Sequence, residues 1–220
     1  VPGAWRWTFR AVEMAREAGI TLQINTTLSR RNLHRLAAFE EVLAGIAPEM
    51  WSVFLLVPTG RADAGEMPSA AETETFLQAL HATAGRLPFP VKTTEAHQYR
   101  RIQIQHGTAP RMGMRAPPGV ADGRGFVFVS HRGEICPSGF LPLVAGNVRT
   151  DELGDIYREA PWFRALRDPA RFSGKCGRCE FRNVCGGSRA RAFALTGDPL
   201  ASDPSCPYEP ATAERPVLVA

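Results

Sequence analysis

The sequence predicts an α/β fold in its first part, followed by a small cysteine-rich α+β domain. Helix-like and strand-like segments alternate up to Gly85, which is typical of a parallel sheet covered by helices. Four of the five cysteines lie in the last quarter of the 220-residue chain. A segment rich in glycine and proline, residues 107–125, lies between these parts, so we expect domains at residues 1–106 and 107–220.

Two segments of the first part have the character of strands. Residues 21–27 alternate and are rich in branched side chains, whereas residues 50–57 are nearly all apolar, as in a strand buried on both faces. A helix-like segment follows each: Asn32 is expected to cap the first, and Ser69 and Glu72 have the spacing of a capping box before the second. This order predicts parallel strands with right-handed crossovers. Because two strands are too few for a complete sheet, we expect the earlier strands of a βα repeat to be missing.

The second part combines a hairpin, a helix and a loop-rich end. Residues 91–105 form a polar helical or mixed segment, and residues 126–129 with 134–136 predict a β-hairpin. Residues 151–167 have the apolar spacing of a helix. After Ser173 glycine is frequent, as expected where a metal site replaces an apolar core.

Composition excludes several classes of protein. The net charge of +4 is mild and scattered, so no nucleic-acid partner is expected. No apolar run approaches the roughly 18 residues of a membrane span, and no signal peptide is visible, so we expect a cytoplasmic protein without membrane attachment. Five cysteines without a signal peptide argue against a disulfide framework. The first residue is Val1 rather than Met, which indicates a piece of a longer protein.

Four cysteines have the spacing of a metal site. Cys176, Cys179 and Cys185 follow the pattern Cys-x2-Cys-x5-Cys, and Cys206 comes after a longer gap. Four thiolates select zinc or an iron–sulfur cluster, and neighbouring glycines let backbone N–H groups approach the sulfurs. Several arginines nearby offset the negative charge of such a site. The spacing alone leaves both metals open, and a zinc site that only stabilises the loops is the alternative.

The sequence around these cysteines carries a family resemblance. Its segments are Gly133-Glu134-Ile135-Cys136-Pro137-Ser138, Gly146-Asn147-Val148, Cys185-Gly186-Gly187-Ser188-Arg189-Ala190-Arg191-Ala192 and Cys206-Pro207-Tyr208. Together they resemble the C-terminal SPASM or twitch region of radical S-adenosylmethionine (SAM) enzymes, in the group related to haem and haem d1 biosynthesis. Residues 23–27 and 54–61 look like the last two strands of the family's partial (β/α)6 barrel. The resemblance implies an auxiliary 4Fe-4S cluster on Cys176, Cys179, Cys185 and Cys206.

Two departures from the family pattern matter. Full SPASM domains hold two auxiliary clusters, and two of the cysteine positions that these require are occupied here by Ser138 and Ser188. The resemblance therefore implies that the first auxiliary cluster is lost and the second is kept. Cys136, two residues from a lost position, is an alternative to Cys206 as fourth ligand. The family's Cys-x3-Cys-x2-Cys motif, which holds the SAM-cleaving cluster, is absent from these 220 residues, so the chain is either a fragment or a non-catalytic relative.

For the complete enzyme, the resemblance implies that SAM is cleaved to a carbon radical that takes a hydrogen atom from the substrate. The implied substrates are a tetrapyrrole or a peptide, and the implied electron donor is a flavodoxin or ferredoxin. Two other functions stay open: a zinc-stapled binding module without catalysis and a stand-alone electron-transfer protein.

Candidate SAM ligands follow from the barrel geometry, since ligands bind at the C-terminal ends of barrel strands. Asn25, Thr26 and Thr27 are candidates to hydrogen-bond SAM, and Arg61 is a candidate partner for a carboxylate of SAM or substrate. The alternatives are that the three polar residues only cap the next helix and that Arg61 is a surface residue.

Overall fold

The structure, a computed structural model, describes residues 2–109 and 121–211. The helices are α1 (Ala4–Glu17), α2 (Leu36–Ile46), α3 (Ala70–Ala84), α4 (Gln98–Gln105), α5 (Leu153–Glu159), α6 (Pro161–Arg167), α7 (Gly174–Arg178) and α8 (Arg189–Thr196). The strands are β1 (Gln23–Leu28), β2 (Met50–Leu55), β3 (Val91–Thr94), β4 (Phe128–Val129), β5 (Glu134–Cys136) and β6 (Gly146–Asn147). The predicted α/β class is confirmed, whereas most of the segment between the two predicted domains lies outside the described residues.

A parallel sheet organises the first part of the chain. Its strand order is β1-β2-β3, with Thr26 opposite Val53 and Val53 opposite Thr93. The apolar strand β2 is central, and Trp51, Val53 and Leu55 on it are buried, which explains its nearly continuous apolar sequence. Side chains from α2, α3 and α4 complete one apolar core with the sheet.

The start of α3 confirms a local prediction, and the start of α2 corrects one. Ser69 and Glu72 form the predicted capping box, with bonds of 3.2 and 2.8 Å. Asn32 does not cap α2. Its side chain accepts a bond from the Ser29 N–H at 2.9 Å and donates to the Thr27 carbonyl, so it closes the turn after β1.

The third strand, β3, departs from the prediction of a polar helical or mixed segment. It pairs with one side of β2 and is short, and Lys92, Thr93 and Thr94 give it no apolar alternation. Such a polar strand is stable because its backbone pairing with the apolar β2 determines its place. Helix α4 follows it within the same segment.

The second part contains the predicted hairpin. Strands β4, β5 and β6 form a small antiparallel sheet in that order. The single helix predicted over residues 151–167 is instead two helices, α5 and α6, which meet at Ala160. Pro161 lies at the first position of α6, where its missing N–H and fixed φ favour a new helix start. Within the described part of the chain, no helix has the length and apolar character needed to cross a membrane.

Candidate metal centre

The four clustered cysteines come from two segments that meet. Cys176 lies in α7, Cys179 and Cys185 follow it, and Cys206 lies in the loop after α8. Burial raises the pKa of Cys185, and the negative charges of Cys206 and Cys176 raise it further. The charge of Cys176 acts likewise on Cys179 and on Cys206, so each thiol lies within electrostatic range of Cys176. All are free and partly exposed.

Each of these thiols accepts a hydrogen bond from a backbone N–H. The Asp203 N–H donates to the Sγ of Cys176 at 3.4 Å. The other three sulfurs accept from the residue two positions further along, which is Phe181 for Cys179, Gly187 for Cys185 and Tyr208 for Cys206. Burial still dominates and raises the pKa of Cys206 to about 11, but each N–H acts in the opposite direction and favours the thiolate.

The loop that carries Cys206 is fixed by several contacts. Lys175 Nζ donates to the Cys206 carbonyl at 2.9 Å, and Gln98 of α4 donates to the Ser205 carbonyl at 3.3 Å. The ring of Tyr208 lies 5.6 Å from that of Phe181, in an edge-on arrangement. These contacts bring a segment distant in sequence against the Cys-x2-Cys turn.

The donor set of the candidate metal centre consists of four free thiols. Among residues 2–109 and 121–211, no three cysteine, histidine, aspartate or glutamate side chains are arranged to hold a metal ion. The chemistry of the donors nevertheless fits a thiolate-ligated metal, because all four are thiols that accept backbone N–H bonds. One of them, Cys176, also accepts a bond from the buried guanidinium of Arg189. Gly187 packs tightly here: a Cβ on it would lie 2.7 Å from the Asp203 Cβ and 3.1 Å from the Cys176 sulfur.

Cys136 lies apart from this cluster. It is buried in β5, opposite Phe128 of β4. Burial raises the pKa of its thiol, and the charged group that adds to this effect is Glu134. The charge of Cys206, in contrast, acts on Cys185, and the choice between Cys206 and Cys136 as fourth ligand stays a prediction.

A buried ion pair joins the cysteine-rich part to the parallel sheet. Arg191 and Asp203 are wholly buried and 3.1 Å apart. The Arg191 guanidinium also donates to the carbonyls of Leu56, just after β2, and Glu95, just after β3. Asp203 in turn accepts the N–H of Ser188 at 2.9 Å. One side chain therefore links two strand ends to the loop that approaches Cys176.

Glu95 is a buried acid that sequence analysis did not identify. It is a non-glycine residue with a φ of 57°, a left-handed conformation that costs free energy unless the surroundings impose it. The Ser188 hydroxyl donates to its carboxyl group. Burial, and then the charge of Asp122, raise the pKa of Glu95 to about 8. The one sequence signal was its position directly after a strand, and that strand was itself not predicted.

The two serines at family cysteine positions both lie beside buried acids. Ser188 bonds to Glu95 and also caps α8 by accepting the Arg191 N–H at 3.0 Å. Burial raises the pKa of Asp122, while the Ser138 side chain and the Ala190 N–H lower it. A buried polar network thus surrounds the two serines.

The predicted SAM ligands lie at the edge of the sheet. Asn25 and Thr27 are on the exposed face of β1, which continues to Leu28, so they lie within the strand rather than beyond its end. The hydroxyl of Thr26 points inward and accepts from the Trp51 indole N–H at 3.0 Å. Arg61 is exposed in the loop after β2. Their role toward SAM stays a prediction.

Comparison with known proteins identifies relatives of this chain. No protein-family model matches it. It is 40% identical over 220 residues to the AdoMet-dependent heme synthase of Nitratidesulfovibrio vulgaris, an alignment that covers 96% of this chain and 60% of that protein. It is 39% identical over 218 residues to the AdoMet-dependent heme synthase of Methanosarcina barkeri, covering 96% and 62%. The PqqA peptide cyclase of Rhodopseudomonas palustris is 28% identical over 214 residues, covering 93% and 52%.

Solved structures share the fold. Native anSMEcpe with bound AdoMet and Kp18Cys peptide superposes with a TM-score of 0.61 and 13% identity, over 90% of this chain and 56% of that one. Streptococcus suis SuiB bound to S-adenosylmethionine gives a TM-score of 0.56 and 15% identity, over 90% and 48%. At these identities the likeness concerns the fold alone.

The class of protein follows from these matches. The predicted resemblance to radical SAM enzymes of haem biosynthesis is confirmed by the sequence relatives. The homologues are named AdoMet-dependent heme synthase and PqqA peptide cyclase. The chain spans about 60% of the length of the heme synthases that it matches.

Proposed function

We propose that this chain holds one auxiliary 4Fe-4S cluster on Cys176, Cys179, Cys185 and Cys206, as part of a radical SAM enzyme. The observation that carries the proposal is that every one of these four thiols accepts a backbone N–H bond. Hydrogen bonds to cysteine sulfur are a main way in which proteins stabilise iron–sulfur clusters and tune their potentials. When bound, such a cluster supplies single-electron storage or transfer close to the substrate.

In this proposal the parallel sheet is part of a partial barrel whose other strands belong to the longer protein. Within the described residues, β1 pairs only with β2, so its other edge is free to pair with preceding strands of a longer protein. Helix α1 exposes Trp5 and Trp7, with 63% and 70% of their surfaces accessible. In this proposal residues 1–106 belong to the barrel and residues 107–220 form the cluster domain.

The polar residues at the sheet edge are available for SAM. Asn25, Thr27 and Arg61 have exposed side chains, and the strand that carries the first two is one of the two edge strands of the described parallel sheet. In the complete enzyme SAM would bind at the C-terminal ends of these strands, and the electron donor would be a small redox protein such as a flavodoxin or ferredoxin.

The proposed substrate class is a tetrapyrrole. The relatives named heme synthase are about 40% identical to this chain, whereas the relative named peptide cyclase is 28% identical. The enzyme that contains this chain is therefore expected to bind a carboxylated porphyrin, measured by the change in porphyrin absorption, and not to bind an unrelated peptide of equal charge. If the enzyme bound the peptide and not the porphyrin, the proposed substrate class would be wrong and a peptide would be the better proposal.

Iron content tests the cluster directly. After anaerobic reconstitution, the protein is expected to hold about four irons and four sulfides per chain and to absorb broadly near about 400 nm. Cys179→Ala removes one proposed ligand and is expected to lose most of the iron and the absorption. The measurements are iron and sulfide analysis together with the visible spectrum.

Cys136→Ala is the matched control because it removes a thiol outside the cluster. It is expected to keep the iron and the spectrum of the unmodified protein. A colourless protein that binds one zinc and rejects iron would contradict the proposal and favour the zinc-stapled module. Loss of iron in Cys136→Ala but not in a Cys206→Ala variant would instead show that Cys136, and not Cys206, is the fourth ligand.

A further inference from the structure

Arg189 is a buried cation whose whole guanidinium group is surrounded. Only 3% of the residue is exposed. Its plane lies over an aromatic ring, with the central carbon 4.6 Å from the ring centroid, and its nitrogens donate to three carbonyls and one sulfur. These partners are the ring of Phe172, the carbonyls of Gly187 (3.3 Å), Pro199 (3.1 Å) and Ala201 (2.6 Å), and the Sγ of Cys176 (3.5 Å).

No carboxylate neutralises this cation at contact distance within the part of the chain that the structure describes. None of the ion pairs found there includes Arg189. Asp203 and Asp122 are both within range of its charge. Asp203 is already paired with Arg191 at 3.1 Å, and Asp122 accepts the Ala190 N–H at 2.9 Å. A buried charge without a counter-charge is costly, whereas carbonyls and a ring supply only partial negative charge. The remaining partner is the sulfur of Cys176.

We propose that Arg189 is the counter-cation of the thiolate-ligated cluster and raises its reduction potential through the bond to the Cys176 sulfur. This inference rests on the proposed function. Reduction adds one electron, supplied by an external reductant, and makes the cluster more negative. A cation that donates to a ligand sulfur stabilises the reduced form more than the oxidised form. Arg189 keeps its proton and forms no covalent bond in this step.

The same sulfur accepts a second bond, which makes Cys176 different from the other three ligands. The Asp203 N–H donates to it at 3.4 Å, in addition to the guanidinium at 3.5 Å. For each of the other three thiols the described donor is a single backbone N–H. The positive charge thus acts on one defined ligand.

The test is an anaerobic redox titration of the reconstituted chain, followed by electron paramagnetic resonance. Arg189→Gln removes the charge, and we expect the equilibrium constant for one-electron reduction to fall about tenfold, which corresponds to about 59 mV. Arg189→Lys keeps a charge but cannot reach the three carbonyls and the sulfur together, so a smaller shift in the same direction is expected. Arg178→Gln is the matched control: Arg178 lies between two cysteines of the cluster, but it is exposed and pairs with Glu209. The reduction potential of the cluster in Arg178→Gln is expected to stay close to that in the unmodified protein.

The outcomes separate this inference from the proposed function. Unmodified protein that takes up no iron contradicts the proposed function itself. Unmodified protein and Arg189→Gln that both hold four irons with equal potentials contradict the inference and leave the proposed function standing. An equal shift in Arg178→Gln also overturns it, because any nearby charge would then suffice. If Arg189→Gln loses its fold by circular dichroism, Arg189→Lys decides, and an unchanged potential in that variant overturns the inference.

Discussion

Arg191→Met is expected to lower the free energy of unfolding by about 3–5 kcal/mol, because it leaves the carboxylate of Asp203 buried without its partner. Both side chains are wholly inaccessible to solvent in the folded chain. The substitution also leaves the carbonyls of Leu56 and Glu95 without the guanidinium that they share. Urea unfolding, followed by circular dichroism, measures the change.

A surface pair provides the matched control. Arg158 and Asp155 are 2.9 Å apart, but about two thirds of each side chain is exposed. Arg158→Met is the same type of substitution and is expected to lower the free energy of unfolding by less than about 1 kcal/mol. Equal effects of the two variants would show that the Arg191 pair is not the buried link between the sheet and the cysteine loop.

A double variant separates the Arg191–Asp203 interaction from the other effects of removing the arginine side chain. Asp203→Asn removes the charge. It keeps one oxygen, so it can accept only one of the N–H groups of Ser188 and Ser205, which donate to separate oxygens of Asp203 at 2.9 and 3.0 Å. If the unpaired charge of Asp203 causes most of the destabilisation in Arg191→Met, the double variant with Asp203→Asn is expected to recover part of the lost stability. Strict additivity of the two single variants would contradict this account.

The features that the sequence predicted are those determined locally. The capping box at Ser69 depends on four consecutive residues, and the central strand β2 is marked by its own apolar run. The Cys-x2-Cys spacing is likewise a property of one turn, and the ligand role of its cysteines stays a prediction. In each case the pattern and the structure that it forms lie in the same segment.

The features that the sequence did not predict are formed by contacts across the fold. Glu95 and Ser188 are 93 residues apart, and Arg191 reaches the Glu95 carbonyl across 96 residues. Strand β3, from which Glu95 follows, was missed because its polar residues lack alternation and its pairing partner determines its place. These buried polar groups therefore could not be predicted from the sequence, because they are buried only through contacts between the two parts of the chain.

Glu95→Gln is expected to change how stability depends on pH. Burial and the charge of Asp122 raise the pKa of Glu95 to about 8, against an ordinary value of 4.5, so the folded chain keeps a proton that the unfolded chain releases. This contribution to stability is fully present below about pH 4.5 and is lost as the pH rises toward about 8, with a slope of up to about 1.4 kcal/mol per pH unit. Glutamine cannot ionise, so the variant lacks this slope.

The measurement is the difference in unfolding free energy between the unmodified protein and Glu95→Gln, from about pH 5 to about pH 8. The difference cancels the titration of groups distant from Glu95, whereas Asp122 and Asp203, whose charges act on Glu95, contribute to it. Glu41→Gln removes an exposed carboxyl group from α2 and serves as control. We expect the Glu95 variant to gain stability relative to the unmodified protein as the pH rises. Parallel curves for all three proteins would show that Glu95 is already ionised, and that the guanidinium of Arg191 and the hydroxyl of Ser188 together outweigh its burial.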